Sequence, residues 1–239
     1  MEEIKEQGRK LWQSLWWPAL FVALLWAVQG VQELFHLNWR IYGVLPREPI
    51  GLRGVLFMPL IHKDWGHLLA NTPPLYFLSA MILFFYRKVA FRAFSLIYIL
   101  TGLAVWLLAN MSIPFLGLTG ERGFHIGASG LIYGMVAFVF WSGIFRRSIK
   151  AIALSLIVVF YYGSLFLGIL PGQTGISWEG HLFGALAGIL VAFWYKKDVE
   201  RDDVKPKPSW ETEDELPPTS FFDADIFQKT KEERRRDTF

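Results

Sequence analysis

The feature that most constrains this chain is a series of uncharged apolar runs, each approaching the ~20 residues that an α-helix needs to cross the hydrocarbon core of a bilayer. Of its 239 residues, 53% are hydrophobic, and the mean hydropathy is +0.33. These values are too apolar for an ordinary soluble domain. The sequence therefore predicts an all-α integral membrane protein that crosses the bilayer several times.

Three regions follow from where the apolar runs begin and end. Residues 1–15 mix charged side chains with Leu11 and Trp12, a pattern typical of a short interfacial helix. Residues 16–195 form the membrane core, and residues 196–239 are charged and Pro-rich, which predicts a soluble, disordered tail. Within the core we expect six spanning helices, at Trp16–Leu37, Gly66–Tyr86, Phe94–Asn110, Gly127–Phe145, Ala151–Leu170 and Trp178–Tyr195.

The segment between the first two predicted spans, residues 38–66, is rich in Pro and Gly but also in large apolar side chains. Its apolar content argues against a freely solvated linker. Non-helical backbone at membrane depth is tolerated where protein covers it. We therefore predict a first loop that is partly inserted in the membrane.

Basic residues between the spans predict the orientation of the chain. They cluster in the loops after the second, fourth and sixth spans, at Arg87, Lys88, Arg92, Arg146, Arg147, Lys150, Lys196, Lys197 and Arg201. The loop at residues 171–177 carries no charge. The positive-inside rule then places both termini in the cytoplasm, and we expect a bacterial-type inner membrane. Basic residues in the loop at 38–66 oppose this assignment, but a long loop of that kind carries less weight.

Composition also removes several classes of function. The chain has no cysteine, which excludes disulfides, thiolate metal sites and cysteine nucleophiles. The net charge of +3 is spread between apolar runs and forms no basic patch, so nucleic acid is not an expected partner. His62 and His67 are five residues apart without the His-Glu-x-x-His pattern of zinc proteases. We expect no metal and no cofactor.

The fourth predicted span begins with Gly127-Ala128-Ser129-Gly130. The first N–H groups of a helix have no intrahelical partner, and the helix dipole makes that end weakly positive. A hydroxyl beside free N–H donors combines a nucleophile with donors for an oxyanion. Small residues of this kind also let membrane helices pack closely, so the motif alone leaves both interpretations open.

The predicted topology places further polar groups near this serine. The second, fourth and sixth spans run in the same direction, so their first turns share one leaflet. His67 and Asn71 lie four apart on one face of the second span, and His181 lies at the start of the sixth. Tyr133 follows Ser129 by four residues. We expect these side chains to lie at one depth, near the outer surface.

These motifs resemble those of the rhomboid intramembrane serine proteases. The matching elements are His62, His67-Leu-Leu-Ala-Asn71, Gly127-Ala128-Ser129-Gly130 with Tyr133 and Gly134, and Gly180-His181 followed by Gly184 and Gly188. The resemblance covers residues 16–195 and implies a six-transmembrane-helix, rhomboid-like bundle with a partly inserted first loop. It also implies a serine endopeptidase that cuts transmembrane segments of single-span or multi-span membrane proteins, within the lipid bilayer.

The resemblance assigns roles to individual residues. Ser129 is the expected nucleophile, and His181 is its general base. His67 and Asn71, with the Ser129 N–H, are expected to stabilise the oxyanion. Tyr133 is expected to orient His181, and Gly127 and Gly130 to support the site. The alternative is a non-catalytic rhomboid-like protein that binds transmembrane clients, although relatives of that kind lack the serine or the histidine.

The remaining polar residues receive structural interpretations. We interpret His36 and His125 as interfacial or loop residues, and Glu33 as a hydrogen-bond partner of the first loop. Glu179, two residues before His181, is interpreted as an interfacial charge. An aspartyl intramembrane protease is excluded because no Asp lies within the six predicted spans.

Overall fold

The computed structural model describes residues 2–111, 123–171, 177–198 and 230–236. Extended pairing within these ranges is limited to one isolated bridge, between Val44 and His125. The predicted all-α class is therefore confirmed. The helices are α1 (Glu2–Leu34), α2 (Gly54–Phe57), α3 (Trp65–Phe85), α4 (Ala90–Leu108), α5 (Ser129–Arg146), α6 (Ile149–Tyr162), α7 (Trp178–Trp194) and α8 (Lys231–Arg236).

Among the described residues, five stretches of helix are long and apolar enough to cross a membrane, at Ile4–Leu34, Trp65–Phe85, Ala90–Leu108, Ser129–Arg146 and Ile149–Ile169. The last of these joins α6 to a 3₁₀ helix at Gly163–Ile169. α7 corresponds to the sixth predicted span; it is apolar but has 17 residues. Large apolar side chains face outward on the bundle, such as Leu156 (65% exposed) and Phe160 (82% exposed) on α6. The protein is therefore an integral, multi-pass membrane protein.

α1 is one continuous helix that runs through the predicted interfacial segment and most of the predicted first span, and it ends at Leu34, three residues before the predicted end of that span. Pro18 lies inside it without ending it. The first loop follows, and it contains α2 and 3₁₀ helices at Trp39–Tyr42, Pro49–Arg53 and Met58–Leu60.

The first loop is tied to the end of α4. Arg47 donates from Nη1 to the Ala109 carbonyl (2.6 Å) and from Nη2 to the Asn110 carbonyl (3.1 Å). The Trp106 indole N–H donates to the Glu48 carbonyl at 2.9 Å. Apolar side chains such as Leu56 (57% exposed) remain on its outer surface. A loop that is anchored to α4 and has an apolar exterior suits partial insertion in the membrane, where non-helical backbone must be held against protein.

α5 lies in the core and packs closely against α7. Its buried face includes Leu131, Met135 and Phe138. A Cβ atom at Gly184 would lie 2.0 Å from the Gly130 carbonyl oxygen, and one at Gly188 would lie 2.0 Å from that of Gly134. Only glycine allows the two backbones to approach this closely. Gly184 and Gly188, the glycine stripe of α7, therefore set the separation of α5 and α7.

The chain divides into two units, Met1–Asp203 and Val204–Phe239. The second unit contains α8, where Thr230 donates from its backbone N–H and its hydroxyl to Glu233 Oε2, both at 2.8 Å. Most of the predicted disordered tail, at residues 199–229 and 237–239, lies outside the described residues. Residues 172–176, most of the uncharged loop before α7, also lie outside the described residues.

Candidate active site

Ser129 and His181 are in contact where α5 and α7 begin. Ser129 is the first residue of α5, and His181 lies on the first turn of α7. His181 Nε2 lies 2.9 Å from Ser129 Oγ. The histidine side chain is buried, with 7% of its surface exposed. The fold thus joins two residues that are 52 positions apart in sequence.

The other ring nitrogen of His181 determines which tautomer is present. His181 Nδ1 lies 2.8 Å from the carbonyl oxygen of Gly168, in the 3₁₀ helix that follows α6. A carbonyl oxygen only accepts hydrogen bonds, so Nδ1 carries the proton and donates it. In the neutral ring Nε2 is then unprotonated and accepts the Ser129 hydroxyl. This arrangement suits a general base, and sequence reasoning did not identify Gly168.

Tyr133 covers the face of the His181 ring. The two ring centroids are 4.0 Å apart, and their planes differ by 8°. A Cβ atom at Gly168 would lie 2.0 Å from Tyr133 Oη and 3.2 Å from His181 Nδ1, so only glycine fits there. The imidazole is therefore held by a ring on its face and a carbonyl at its edge.

Hydrogen-bond donors from α3 face the segment just before Ser129. Gly127 has φ +105°, a backbone conformation that residues other than glycine rarely adopt. A Cβ atom at Gly127 would lie 2.9 Å from His67 Nε2 and 3.8 Å from Asn71 Nδ2. Asn71 is 6% exposed, and none of the described residues accepts a hydrogen bond from its Nδ2. A buried amide donor without a partner is costly, which points to a ligand atom that it would bind.

His62 supports this segment from the first loop. Its Nε2 accepts a long hydrogen bond from the Ala128 N–H at 3.5 Å, and its ring centroid lies 5.1 Å from that of His67. Burial lowers the pKa of His62 to about 4, and the neighbouring His67 acts in the same direction. His62 is therefore neutral at pH 7, as an accepting nitrogen requires.

Gly130 brings the two site helices together directly beside the serine. A Cβ atom at Gly130 would lie 2.9 Å from the Gly180 carbonyl oxygen and 3.0 Å from Thr101 Cγ2. Any larger residue would push α5 away from α7, and with it Ser129 away from His181. All seven residues predicted for the site therefore lie in one cluster at the starts of α3, α5 and α7.

A second Ser–His contact lies at the same end of the bundle. His125 Nδ1 lies 2.6 Å from Ser177 Oγ, and His125 Nε2 lies 3.0 Å from Asn110 Oδ1. Sequence reasoning treated His125 as an interfacial or loop residue, but the structure buries it, with 7% exposed. A sequence signal did exist, because His125 and Ser177 each precede a site residue by four positions.

The chain matches one protein-family model and several mycobacterial proteins. The family model described as the Rhomboid domain matches residues 51–198. An uncharacterized protein of Mycobacterium tuberculosis is 41% identical over 176 residues, covering 72% of this chain and 71% of its own length, and one of Mycobacterium bovis matches equally. An uncharacterized protein of Mycobacterium leprae is 36% identical over 176 residues, covering 72% of this chain and 68% of its own.

Proposed function

Because the chain belongs to the rhomboid family, we propose that it is an intramembrane serine endopeptidase with a Ser129–His181 catalytic pair. The observation that carries this proposal is the 2.9 Å contact between Ser129 Oγ and His181 Nε2, with Nδ1 of the same ring committed to a carbonyl. An alcohol paired with a base whose far side is fixed by a third group is the usual arrangement of an activated nucleophile.

Both halves of the proposed reaction follow from the tautomer of His181. Nε2 takes the hydroxyl proton while Ser129 Oγ attacks a peptide carbonyl carbon, giving a tetrahedral oxyanion and an imidazolium. When the C–N bond breaks, the imidazolium returns its proton to the leaving amine. A water molecule, deprotonated by the same Nε2, then attacks the acyl carbon, the bond from that carbon to Ser129 Oγ breaks, and the imidazolium returns the proton to Oγ as the carboxylic acid leaves. Tyr133 and the Gly168 carbonyl keep the ring oriented throughout.

Three groups are available to stabilise the oxyanion. The Ser129 N–H lies on the first turn of α5, where backbone donors have no intrahelical acceptor. The Asn71 amide is buried and has no acceptor for its Nδ2 within the part of the chain that the structure describes, and His67 lies beside it against Gly127. Each donor of this kind is worth roughly 100- to 1,000-fold in rate.

The substrates we propose are transmembrane segments of other membrane proteins. The site residues lie near the first turns of three apolar helices, which supports a substrate that is itself embedded in the bilayer. The basic loops at the opposite ends of these helices favour an orientation with both termini in the cytoplasm and the site near the outer surface.

The test is cleavage of tagged single-span substrates by the purified full chain in liposomes. We expect the wild type to cut at least one member of a substrate panel. We expect Ser129→Ala to abolish cleavage and His181→Ala to reduce it by about 100- to 10,000-fold. Circular dichroism and thermal unfolding of each variant check that the fold is retained.

Two outcomes would oppose the proposal. Cleavage that persists in purified Ser129→Ala would remove Ser129 as the nucleophile. Tight binding of the substrates by a wild type that cuts none would favour the non-catalytic alternative, a membrane protein that retains transmembrane clients.

A further inference from the structure

The His125–Ser177 contact joins the same two chain segments as the Ser129–His181 contact, four residues earlier in each segment. His125 lies four residues before Ser129, and Ser177 lies four residues before His181. The serine and the histidine are exchanged between the segments, so each contact joins residues 52 positions apart. The two contacts thus form successive cross-links between the beginnings of α5 and α7.

The hydrogen bonds of His125 have a defined direction. Asn110 Oδ1 accepts only, so His125 Nε2 carries the proton and donates it at 3.0 Å. His125 Nδ1 is then unprotonated and accepts the Ser177 hydroxyl at 2.6 Å. Burial lowers the pKa of His125, which favours this neutral form, while the Glu179 carboxylate acts in the opposite direction.

Both ends of this contact are anchored to backbone. The His125 N–H donates to the Val44 carbonyl at 2.8 Å, and the Val44 N–H donates to the His125 carbonyl at 3.0 Å. Ser177 caps α7, because its Oγ accepts from the Gly180 N–H at 3.2 Å. The contact therefore links the first loop, the segment before α5 and the first turn of α7.

Asn110, just after α4, and Glu179, on the first turn of α7, complete this network. The Asn110 N–H donates to Glu179 Oε1 at 3.4 Å, and the Asn110 side-chain amide donates to the Gly123 carbonyl at 3.4 Å. Asn110 adopts a positive φ of 55°, which its short polar side chain tolerates. Glu179, interpreted from sequence as an interfacial charge, is thus part of the anchor of α7.

We propose that the His125–Ser177 contact is a positioning contact that holds the first turn of α7, and hence His181 Nε2, at reacting distance from Ser129 Oγ. The glycine stripe sets the distance between α5 and α7 on the C-terminal side of Ser129. The His125–Ser177 contact joins the segments that precede the two helices. The inference rests on the proposed serine protease function. A displacement of about 1 Å at a reacting group costs on the order of 100-fold in rate, so a partial displacement is measurable.

The experiment compares His125→Phe, Ser177→Ala, their combination and Ser177→Thr in the full chain. We expect both single variants to lower kcat about tenfold with little change in KM, because the reacting groups move while the substrate still docks. The double variant should fall no more than about threefold below the worse single variant, since both remove one contact. Ser177→Thr keeps the hydroxyl and should restore kcat.

A small serine-directed phosphonate gives a second readout that does not depend on substrate docking. The rate at which it labels Ser129 should fall in parallel with kcat. Ser155→Ala is the matched control, because Ser155 Oγ donates to the Phe140 carbonyl (2.9 Å) and joins α6 to α5 away from the site. We expect this control to lose stability while keeping kcat.

The outcomes separate a failure of the positioning role from a failure of the proposed protease function. Unchanged kcat and labelling rate in His125→Phe, with a wild type that cuts in a Ser129-dependent manner, would overturn the positioning role alone. Equal losses in Ser155→Ala and Ser177→Ala would reduce the contact to general stability and overturn it too. A wild type that neither cuts nor is labelled at Ser129 would overturn the protease function and this inference together.

Discussion

The described residues include two Ser–His contacts at one end of the helical bundle, and their geometry is similar. Ser129 Oγ lies 2.9 Å from His181 Nε2, and Ser177 Oγ lies 2.6 Å from His125 Nδ1. Each histidine is 7% exposed, and each has its other nitrogen on an oxygen acceptor. Distance and tautomer alone therefore do not distinguish a nucleophile from a structural serine.

The surroundings of the two serines differ. Ser177 Oγ also accepts a hydrogen bond from the Gly180 N–H as the cap of α7, so one of its two lone pairs is engaged at a helix end. Ser129 instead begins α5, and the Asn71 amide that faces Gly127, two residues earlier, is buried with no acceptor for its Nδ2 among the described residues. A carboxylate, Glu179, contributes to the network around His125, where it would oppose negative charge on an oxyanion. Donors available for a developing negative charge, and not the Ser–His distance, therefore separate the proposed catalytic pair from the His125–Ser177 contact.

The largest expected effect is on covalent labelling by a serine-directed fluorophosphonate. We expect Ser129→Ala to lose labelling to background, whereas Ser177→Ala should still be labelled, more slowly, at Ser129. Peptide mass spectrometry locates the modified residue in each variant. Label found on Ser177 would break the distinction between the two pairs.

Asn71→Ala tests the donor side of the comparison. Removing one oxyanion donor should lower kcat by about 100- to 1,000-fold and leave KM nearly unchanged. Because the Ser129 N–H and His67 remain, some cleavage should persist. A total loss equal to that of Ser129→Ala would mean that Asn71 has a larger role than one donor among three.

A smaller effect is expected at Tyr133, which stacks on His181 and has no counterpart at His125 among the described ring contacts. Tyr133→Leu should lower kcat by up to about tenfold, since an aromatic pair contributes about 0.5–1.5 kcal/mol. Tyr133→Phe keeps the ring and serves as the control. A Phe variant as impaired as the Leu variant would shift the role from the stacked ring to the hydroxyl.

The smallest effect concerns His62, which supports the Ser129 pair through Ala128. Its pKa of about 4 in the folded protein is below the usual 6.5, so the native state binds fewer protons than the unfolded chain. The contribution of neutral His62 to the free energy of unfolding is therefore present in full above about pH 6.5. It falls by up to about 3 kcal/mol as the pH drops toward 4. Thermal unfolding between pH 7.5 and pH 5, for the wild type and His62→Gln, measures the difference (~2 kcal/mol at pH 5). Identical pH dependence in both proteins would show that His62 titrates normally.

Sequence reasoning placed His67, Asn71, Ser129 and His181 at the starts of three parallel spans, and the structure has them at the starts of α3, α5 and α7. It did not find Gly168, because a main-chain carbonyl has no signature in residue type. It also did not find the His125–Ser177 contact, because both residues lie outside the apolar runs that organised the prediction. His125 and Ser177 each precede a predicted site residue by four positions, which is visible in the sequence. That spacing indicates a contact only once the structure shows that the two segments are adjacent.

By itself, the sequence determined that this protein is a helical membrane bundle and which end of it holds the polar residues. Apolar run length and position on a first turn are properties of local sequence, and a bilayer converts them directly into depth. The tertiary structure decided which serine faces which histidine, at what distance and with which ring nitrogen. Those quantities depend on how α5 and α7 are rotated and how closely their glycines allow them to pack, and no single segment encodes them.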